Sequence, residues 1–553
     1  MPAASAWRYS PSTAVTERPA SPTRLPAWQA LQTHARRLDG GAIGTLFAQD
    51  ATRADRYALR HDGLYADFSK QLIDDAVHAA LLELAEQTGL AGGIESLFAG
   101  EPLNFTEDRP ALHMALRGGA AVPTADAAAL AEGETRMRAF VRALRDGTLR
   151  GAHGDPIRDV VNLGIGGSDL GPRLVCEALA PHGDATPRVH FVANIDPAEL
   201  DEVLARCAAG STLFILSSKS FTTLETLANA RAARDWLHAG LGPHADVGAH
   251  FAAVSNRVHE AGEFGIAPER VFPVPEWVGG RFSLWSAIGL PVRIALGEDG
   301  FDALLAGARS IDEHFRHAPA ADNLPVMLAL AGIWNTNFLG IGDHAVLPYA
   351  HGLRSFPAWL QQLEMESNGK RCLWNGGTAE AHTAPVVFGH AGTVSQHAVH
   401  QLFYQGTRRV AIDFIVPVST QDARARAMYQ NALAQAEALM TGLDLATAHA
   451  TLRARGLDEA GAARLAPHLV CPGNQPSTTL LLPGLTPRTL GQLLALYEHK
   501  TFVQGWIWGI NSFDQYGVEL GKALARQLAG SPGEADRHPS TAALLAAIAR
   551  MTR

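Results

Sequence analysis

The spacing of hydrophobic and polar residues changes along the chain, and the change predicts where helices give way to strands. From Trp28 to about Gly133, apolar residues recur at helical spacing, as in QLIDDAVHAALLELAEQTGL. Beyond about Val160, short apolar runs alternate with helical stretches; the runs are DVVNLGIGG, VHFVANI, STLFILSSKS, HFAAVSN and RVFPVPE. This alternation predicts a parallel sheet with helices on both faces.

A second set of alternating strand and helix patterns begins after Gly300. HAVLPYA, PVVFG, VAIDFIVPV and STTLLLPGLTP have the pattern of strands, whereas residues 420–470 and LALYEHKTFVQGWIWGI favour helices. LPVMLALAGIWNTNFLGIG is the best candidate for a membrane span, but its asparagines favour a buried helix. We therefore expect an α/β protein with parallel sheets and no membrane partner.

Composition narrows the functional class. The chain has 553 residues, and its formal net charge of −9 offers no basic excess to bind a nucleic acid backbone. The first 25 residues are rich in Pro, Ser and Ala and contain no apolar run of signal-peptide length, so we expect a mobile extension. The four cysteines lie far apart, without zinc-site spacing, which predicts reduced thiols in a cytoplasmic protein.

Two predicted strand-to-helix turns carry small and hydroxyl residues. They are GIGGSDLG at 164–171 and SSKSFTTLET at 217–226. Backbone N–H groups and the helix dipole favour an anion at such turns, and Gly166 and Gly167 would let a ligand approach the backbone. The hydroxyls available to a phosphate belong to Ser218, Ser220, Thr222 and Thr223. The alternative is that these residues are ordinary helix N-caps.

The first turn, GIGGSDLG, does not match either of two common nucleotide-binding patterns. After Gly164 and Gly166, the third glycine of a dinucleotide fingerprint would stand at 169, where the chain has Asp169. The Walker A spacing of glycines, lysine and hydroxyl residue is also missing here. The pattern favours a single terminal phosphate on a small metabolite.

Charged residues in two further motifs could carry chemistry. Arg281 follows two glycines in WVGGRFSLWSAIGLP, and its fork of donors suits a developing oxyanion, although a surface arginine in a turn has the same pattern. Glu364 and Glu366 lie in LEMESNGKRC, where a partly desolvated carboxylate could act as a base. A charged helix end is the plainer interpretation, and nothing local separates the two glutamates.

Histidines cluster between residues 382 and 400. The i, i+3 spacing of His397 and His400 is a weak metal signal, and one histidine acting as acid and base is the better hypothesis. Near the C-terminus, NSFDQYGVELGK places Glu519 and Lys522 at the spacing of a surface ion pair on a helix.

Together, and in this order, the motifs resemble the phosphoglucose isomerase family. The resemblance runs from about Pro26 to Lys522, through VNLGIGGSDLGP, SKSFTTLET, GGRFSLWSAIGLP, MESNGK, SQHAVHQLFYQGT and YEHKTFVQGWIWGINSFDQYGVELGK, with NFTEDRPALHMALR upstream. It implies two sugar-isomerase (SIS) α/β/α sandwich domains and a homodimer with shared active sites. It also implies interconversion of the phosphosugars glucose 6-phosphate and fructose 6-phosphate, in glycolysis and gluconeogenesis, without a metal or redox cofactor.

The resemblance further implies a domain order. After an extension at 1–25, we expect a helical part of the large domain at 26–133 and a small SIS domain at 134–297. A large SIS domain at 298–516 and a helical tail at 517–553 complete the expected chain.

The resemblance also assigns roles. It implies that Glu366 moves a proton between C2 and C1 through a cis-enediol while Arg281 steadies the enediolate charge. The implied ring-opening acid and base is His397, which Glu225 orients and Lys522 assists, and which the family supplies from the other subunit. The implied substrate contacts are Gly167, Ser168, Ser218, Lys219, Ser220, Thr223, Gln362 and Gln515.

Two alternatives stay open at this point. A non-catalytic phosphosugar sensor would share the fold, but it would be free to lose Glu366, His397 and Lys522, which the chain retains. An isomerase of broader specificity, which also takes mannose 6-phosphate, would keep the same residues.

Overall fold

The strands predicted from the sequence all form, and they lie in two separate sheets. The structure is a computed structural model that describes Pro19 and residues 21–179, 187–419, 422–529 and 537–552. The predicted α/β class is therefore confirmed. No described helix has both the length and the apolar character that a membrane span requires.

Helices and strands are numbered separately in chain order. The strands are β1 Ala58–His61, β2 Leu64–Asp67, β3 Asp159–Leu163, β4 Arg188–Val192, β5 Thr212–Ser217, β6 Phe251–Val254, β7 Val271–Phe272, β8 Asp343–Pro348, β9 Val386–Gly389, β10 Ala411–Pro417 and β11 Ser477–Leu482. The helices are α1 Pro26–Arg37, α2 Ile43–Gln49, α3 Arg53–Arg56, α4 Asp75–Gln87, α5 Leu90–Ala99, α6 Thr124–Arg145, α7 Leu170–Leu179, α8 Pro197–Leu204, α9 Leu224–Leu241, α10 Val258–Glu263, α11 Leu290–His317, α12 Leu324–Ile333, α13 Phe356–Gln361, α14 Gly392–Gln396, α15 His400–Gln405, α16 Ala423–Thr441, α17 Leu445–Ala454, α18 Glu459–Leu465, α19 Pro487–Trp508, α20 Glu519–Ala529 and α21 Pro539–Met551.

The first sheet is parallel throughout, with five strands in the order β4-β3-β5-β6-β7. Its neighbouring strands β3 and β5 are buried at every position, as expected for strands covered on both faces. Both predicted anion turns follow the carboxyl ends of these two strands, so the fold brings the turns to one edge of the sheet.

The second sheet has six strands in the order β1-β2-β11-β10-β8-β9. The strands β11, β10, β8 and β9 are parallel, whereas β1 and β2 form an antiparallel hairpin on β11. Helical spacing dominates from Trp28 to about Gly133, and the pattern within that range did not predict this hairpin. Asp62 and Gly63 close it with positive φ angles of 46° and 86°. Asp-Gly is the local signal for such a turn, but the helical pattern on either side obscured it.

Helix α19 is buried along nearly its whole length, from Thr489 to Trp508. It packs against α11 with the two backbones almost in contact. A methyl group added at Gly491 would lie 2.0 Å from the Leu304 carbonyl oxygen, and one at Gly307 would lie 1.9 Å from the Arg488 carbonyl oxygen. Only a residue without a side chain permits that approach.

The expected domain boundaries remain a prediction. The strands of the two sheets fall in the ranges 134–297 and 298–516, apart from the hairpin in 26–133. A separate C-terminal unit, Phe513–Arg553, begins close to the expected tail. Of the expected N-terminal extension, residues 1–18 and 20 lie outside the described residues.

The described end of that extension contacts the loop after residue 373. The Trp374 indole N–H donates to the Pro19 carbonyl oxygen at 3.1 Å, and the Ser21 hydroxyl donates to the Glu380 carboxylate at 3.3 Å.

Adjacent glycines in α5 test the packing around α19. A methyl group at Gly93 would meet the Trp506 ring at 2.5 Å, whereas one at Gly92 would meet nothing within 4 Å. We expect Gly93→Ala to lower the free energy of unfolding by about 1–3 kcal/mol through overpacking. Gly92→Ala should raise it by about 0.5–1 kcal/mol through helix propensity. Denaturant unfolding followed by fluorescence measures both, and equal effects would contradict this packing.

Candidate active site

The glycine turn after β3 lies against two other loops. A methyl group at Gly167 would lie 1.9 Å from the Gly280 carbonyl oxygen, and one at Gly166 would lie 3.0 Å from the Gln362 side-chain nitrogen. Protein backbone therefore occupies the space beside Gly167 that the sequence suggested for a ligand. The turn brings Gly167, Ser168, Gln362 and the loop of Arg281 into one place.

The hydroxyl-rich turn joins β5 to α9. Its hydroxyls pair with one another: Ser218 Oγ is 3.0 Å from Thr223 Oγ1, and Ser220 Oγ is 2.7 Å from Thr222 Oγ1. Thr223 stands at the N-cap of α9, yet among the described residues its side chain makes no capping hydrogen bond. The first N–H groups of α9 thus lack the hydroxyl cap of the plainer interpretation, which suits an anion site.

Lys219 directs its side chain from this turn to the 275–278 loop. Its Nζ donates to the carbonyl oxygens of Pro275 and Glu276 at 3.1 and 3.2 Å and pairs with the Glu276 carboxylate at 3.2 Å. Burial lowers the pKa of Lys219, and the Glu276 carboxylate opposes that shift. Because the ammonium is engaged elsewhere, the backbone is what Lys219 can offer at the turn.

Arg281 is buried and held at two points of its guanidinium. Its Nε donates to Ser367 Oγ at 2.6 Å, and its Nη2 donates to the Ser512 carbonyl oxygen at 2.6 Å. The side chain is 2% exposed, and Nη1 lies 3.9 Å from Glu366 Oε2. The alternative of a surface arginine is therefore wrong, because two hydrogen bonds fix a rigid fork beside a carboxylate.

The π-helical turn Gln362–Glu366 continues α13 and contains both glutamates, whose side chains lie in different surroundings. Turns of this kind are rare and occur often at functional sites. Glu366 is 22% exposed and faces Arg281, whereas Glu364 is buried and pairs with Lys500 of α19. Of the two, only Glu366 combines partial solvent access with a neighbouring cation.

The turn after Glu366 is fixed to α19 and to the residues that follow it. Asn368 donates to the Thr501 carbonyl oxygen at 2.9 Å and accepts from Ser512 Oγ at 2.7 Å. Lys370 Nζ donates to the Asn511 carbonyl oxygen at 2.9 Å. These contacts hold the backbone on the C-terminal side of the glutamate.

His397 and Glu225 stand apart from these contacts. His397 is exposed at the C-terminal end of α14, and Glu225 is half-buried in the first turn of α9. Within the described part of the chain, no hydrogen bond or ion pair joins either residue to Glu366. The described residues thus bring together Gly167, Ser168, Gln362, Arg281 and Glu366, whereas the roles of His397 and Glu225 stay predictions.

His400 does not form a metal pair with His397. It is buried, with Nδ1 3.0 Å from Gln435 Oε1 and Nε2 3.5 Å from Ser395 Oγ, and burial lowers its pKa. The His400 ring is hydrogen-bonded inside the protein, whereas the His397 ring is exposed.

Gln515 and Lys522 belong to the C-terminal unit. Gln515 precedes the short 3-10 turn Tyr516–Val518, and Lys522 lies in α20. Lys522 Nζ pairs with Glu519 Oε1 at 2.8 Å, so the ion pair expected from their spacing is confirmed. Their roles toward substrate remain predictions.

A group of potential metal ligands lies at the opposite end of β3. Asp159, His190 and Cys207 place ligand atoms within 4.8 Å of one another. Both oxygens of Asp159 already accept from the guanidinium of Arg188, at 2.8 Å each, and a bound guanidinium competes with a cation. We assign no metal to this group.

Sequence reasoning missed the residues that hold the site together, notably the ionisable residues of α19. Glu498 accepts hydrogen bonds from the Trp285 indole at 2.8 Å and from Arg117 at 2.5 Å. Trp285 ends the 3-10 segment Gly280–Trp285, which carries Arg281. The sequence signal that could have found them is the presence of charged residues in the mostly apolar helix α19. Such residues are buried with the helix, and buried charges need partners.

Comparisons with known proteins agree with this geometry. The family model described as phosphoglucose isomerase matches residues 67–545. A glucose-6-phosphate isomerase from Aromatoleum aromaticum is 63% identical over 541 residues, which cover 98% of this chain and 99% of that protein. Another from Pseudomonas putida is 48% identical over 535 residues, which cover 95% and 97%.

The fold is also shared with a solved structure. A glucose-6-phosphate isomerase from Chlamydia trachomatis is similar with a TM-score of 0.82 and 32% identity, covering 96% of this chain and 100% of that chain. The expected fold is confirmed over nearly the whole length. Fold, sequence and site geometry agree, and the chain belongs to the phosphoglucose isomerase family.

Proposed function

We propose that the chain interconverts glucose 6-phosphate and fructose 6-phosphate by ring opening and base-catalysed proton transfer, with Glu366 as the base. Family membership and the two relatives named above support the reaction. The observation that carries the assignment is the position of Glu366, 3.9 Å from the buried guanidinium of Arg281. A carboxylate beside a fixed cation is what proton abstraction next to a carbonyl requires.

The proton-transfer step uses these two residues. The Glu366 carboxylate takes the proton from C2 of the open-chain aldose, and the electrons of the broken C–H bond move onto the carbonyl oxygen at C1. Arg281 stabilises the resulting cis-enediolate. The proton of the C2 hydroxyl then passes to the C1 oxygen. Glu366 returns its proton to C1 as the electrons on the C2 oxygen form the C2 carbonyl, which yields the ketose. Because Ser367 and Ser512 hold the guanidinium in advance, little reorganisation accompanies the developing charge.

Two turns of the first sheet are proposed to bind the substrate. The phosphate would bind at the start of α9, to Ser218, Ser220, Thr223 and the backbone of Lys219. The uncapped N-terminus of α9 supports this assignment, because its N–H groups and dipole favour an anion. The sugar would contact Gly167, Ser168, Gln362 and Gln515.

Ring opening is proposed to need a second subunit. In this proposal His397 acts as acid and base, with Glu225 and Lys522 as helpers, and reaches the site of the partner chain. The exposure of His397 supports it. The C-terminal unit offers a further argument, since Leu520, Leu524 and Leu528 form an exposed stripe along α20. Such a stripe is typical of a surface that a partner covers.

No step of the proposed reaction needs a metal or a redox cofactor, because the proton returns to the same molecule. The four cysteines are unpaired, which supports a cytoplasmic location. The proposed reaction places the enzyme in glycolysis and gluconeogenesis. A sensor without catalysis is not favoured, since it would have no use for a base held against Arg281.

Replacing the base tests the central assignment. Glu366→Gln should lower kcat by about 10²–10⁴-fold, because the amide cannot accept the C2 proton. The rate of glucose 6-phosphate formation from fructose 6-phosphate, followed with a coupled dehydrogenase, measures the loss. The neighbouring exposed Met365→Leu should keep wild-type activity, as should wild type treated with a chelator. Full turnover in Glu366→Gln would remove this residue as the base.

Replacing the cation tests the enediolate site. Arg281→Lys keeps the charge but loses the fork that Ser367 and Ser512 hold, and kcat should fall by about 10²–10³-fold. KM for fructose 6-phosphate should change far less, because the phosphate is bound elsewhere. Arg206→Lys, at an exposed ion pair, is the control. An unchanged kcat in Arg281→Lys would contradict the assignment.

Subunit mixing tests the shared site. Glu366→Gln and His397→Ala proteins should each be inactive, and equal mixing with subunit exchange should restore about a quarter of wild-type activity. Half of randomly formed dimers are hybrids, and each hybrid has one intact site. Activity that stays at the level of the separate variants after proven exchange would rule out a histidine from the partner subunit.

A further inference from the structure

Glu364 lies two residues before the proposed base, on the other side of the same turn. Side chains two apart in a helical turn point in roughly opposite directions. The exposures agree: 22% of the Glu366 side chain is exposed, against 1% for Glu364. Any group that fixes the Glu364 carboxylate therefore also fixes the direction of Glu366.

Lys500 of α19 is the group that fixes it. Lys500 Nζ donates to Glu364 Oε1, and both side chains are buried. The other oxygen, Oε2, accepts no hydrogen bond from any described residue. His344 Nδ1 is 3.6 Å from it, too far for a hydrogen bond, while His344 Nε2 lies 2.9 Å from Asp413. Lys500 is thus the anchor of this carboxylate.

Stability does not explain such a pair. Moving two charges out of water costs about as much as their attraction returns, and neutral side chains of similar size often replace a buried pair without loss. Burial lowers the pKa of Lys500 to about 7. What the pair does provide is one defined geometry between α19 and the turn.

The same helix also supports the cation. Glu498 lies two residues before Lys500, so the two side chains leave α19 on roughly opposite faces. Glu498 binds the Trp285 indole at 2.8 Å, at the end of the segment that begins with Gly280 and Arg281. The buried helix α19 therefore binds both the turn that contains Glu366 and the segment that contains Arg281.

We infer that the Glu364–Lys500 pair is a positioning element of the isomerase reaction, which fixes the π-helical turn on α19 so that Glu366 faces the substrate beside Arg281. The inference rests on the proposed role of Glu366 as the base. Proton abstraction is sensitive to such placement, since a displacement of about 1 Å can cost about 10²-fold in rate.

The test separates positioning from stability by replacing both partners. The single variants Glu364→Gln and Lys500→Met each leave one buried group without its partner, whereas the double variant leaves no buried charge unpaired. Asp159→Asn is the control, because it removes a buried carboxylate from its ion pair with the exposed Arg188 at the far end of β3. Thermal midpoint, kcat and KM for fructose 6-phosphate are measured for each.

We expect the single variants to lose both stability and kcat, and the double variant to regain stability while kcat stays about 10–100-fold low. KM should stay within about twofold of wild type, because the phosphate turn lies on the other sheet. Glu364→Asp keeps the charge but shortens the side chain that reaches Lys500, so its kcat should lie between those of Glu364→Gln and wild type. The control Asp159→Asn should lose stability and keep kcat.

A double variant that regains wild-type kcat together with its stability would overturn the inference. If the Gln and Met variants do not fold, Glu364→Asp decides, and a wild-type kcat with a lowered thermal midpoint would then overturn it. Glu366→Gln is assayed alongside. An inactive Glu366→Gln with a fully active double variant refutes only the positioning role, whereas an active Glu366→Gln refutes the base itself.

Discussion

Burial of ionisable side chains is the constraint on which this structure depends. Helix α19 places Glu498, His499 and Lys500 in succession inside the protein, and buried charges are costly without partners. Those partners come from distant parts of the chain, and they are Arg117, Trp285, Asp312 and Glu364. The helix can be buried at low cost only when the segments that carry these residues have docked on it.

Docking on α19 is also what assembles the site. Arg281 lies on a segment after the first sheet and Glu366 on a turn that belongs with the second, yet their side chains approach to 3.9 Å. Gly167 makes this possible at the junction, since its missing side chain admits the Gly280 backbone. The distance between these two side chains is therefore set by packing between layers rather than by either loop alone.

The described contacts divide the proposed chemistry into two parts. Glu366 and Arg281, the groups proposed for proton transfer, lie 3.9 Å apart within one chain, and hydrogen bonds hold the Arg281 guanidinium. The proposed ring-opening histidine, His397, is exposed and forms no described hydrogen bond or ion pair with Glu366. This division is what a site completed by a second subunit would produce.

The sequence alone determined the α/β class, the two sets of strands and the membership of Arg281 and Glu366 in one family pattern, because periodicity and motif spacing are local properties. It missed the β1–β2 hairpin, whose Asp62-Gly63 turn was obscured by helical surroundings. It could not separate Glu364 from Glu366 on local grounds, nor assign any role to Lys500. Only the tertiary structure decided these points, since Glu364 meets Lys500 of α19, 136 residues away in the chain, whereas Glu366 meets Arg281 from the segment after the first sheet.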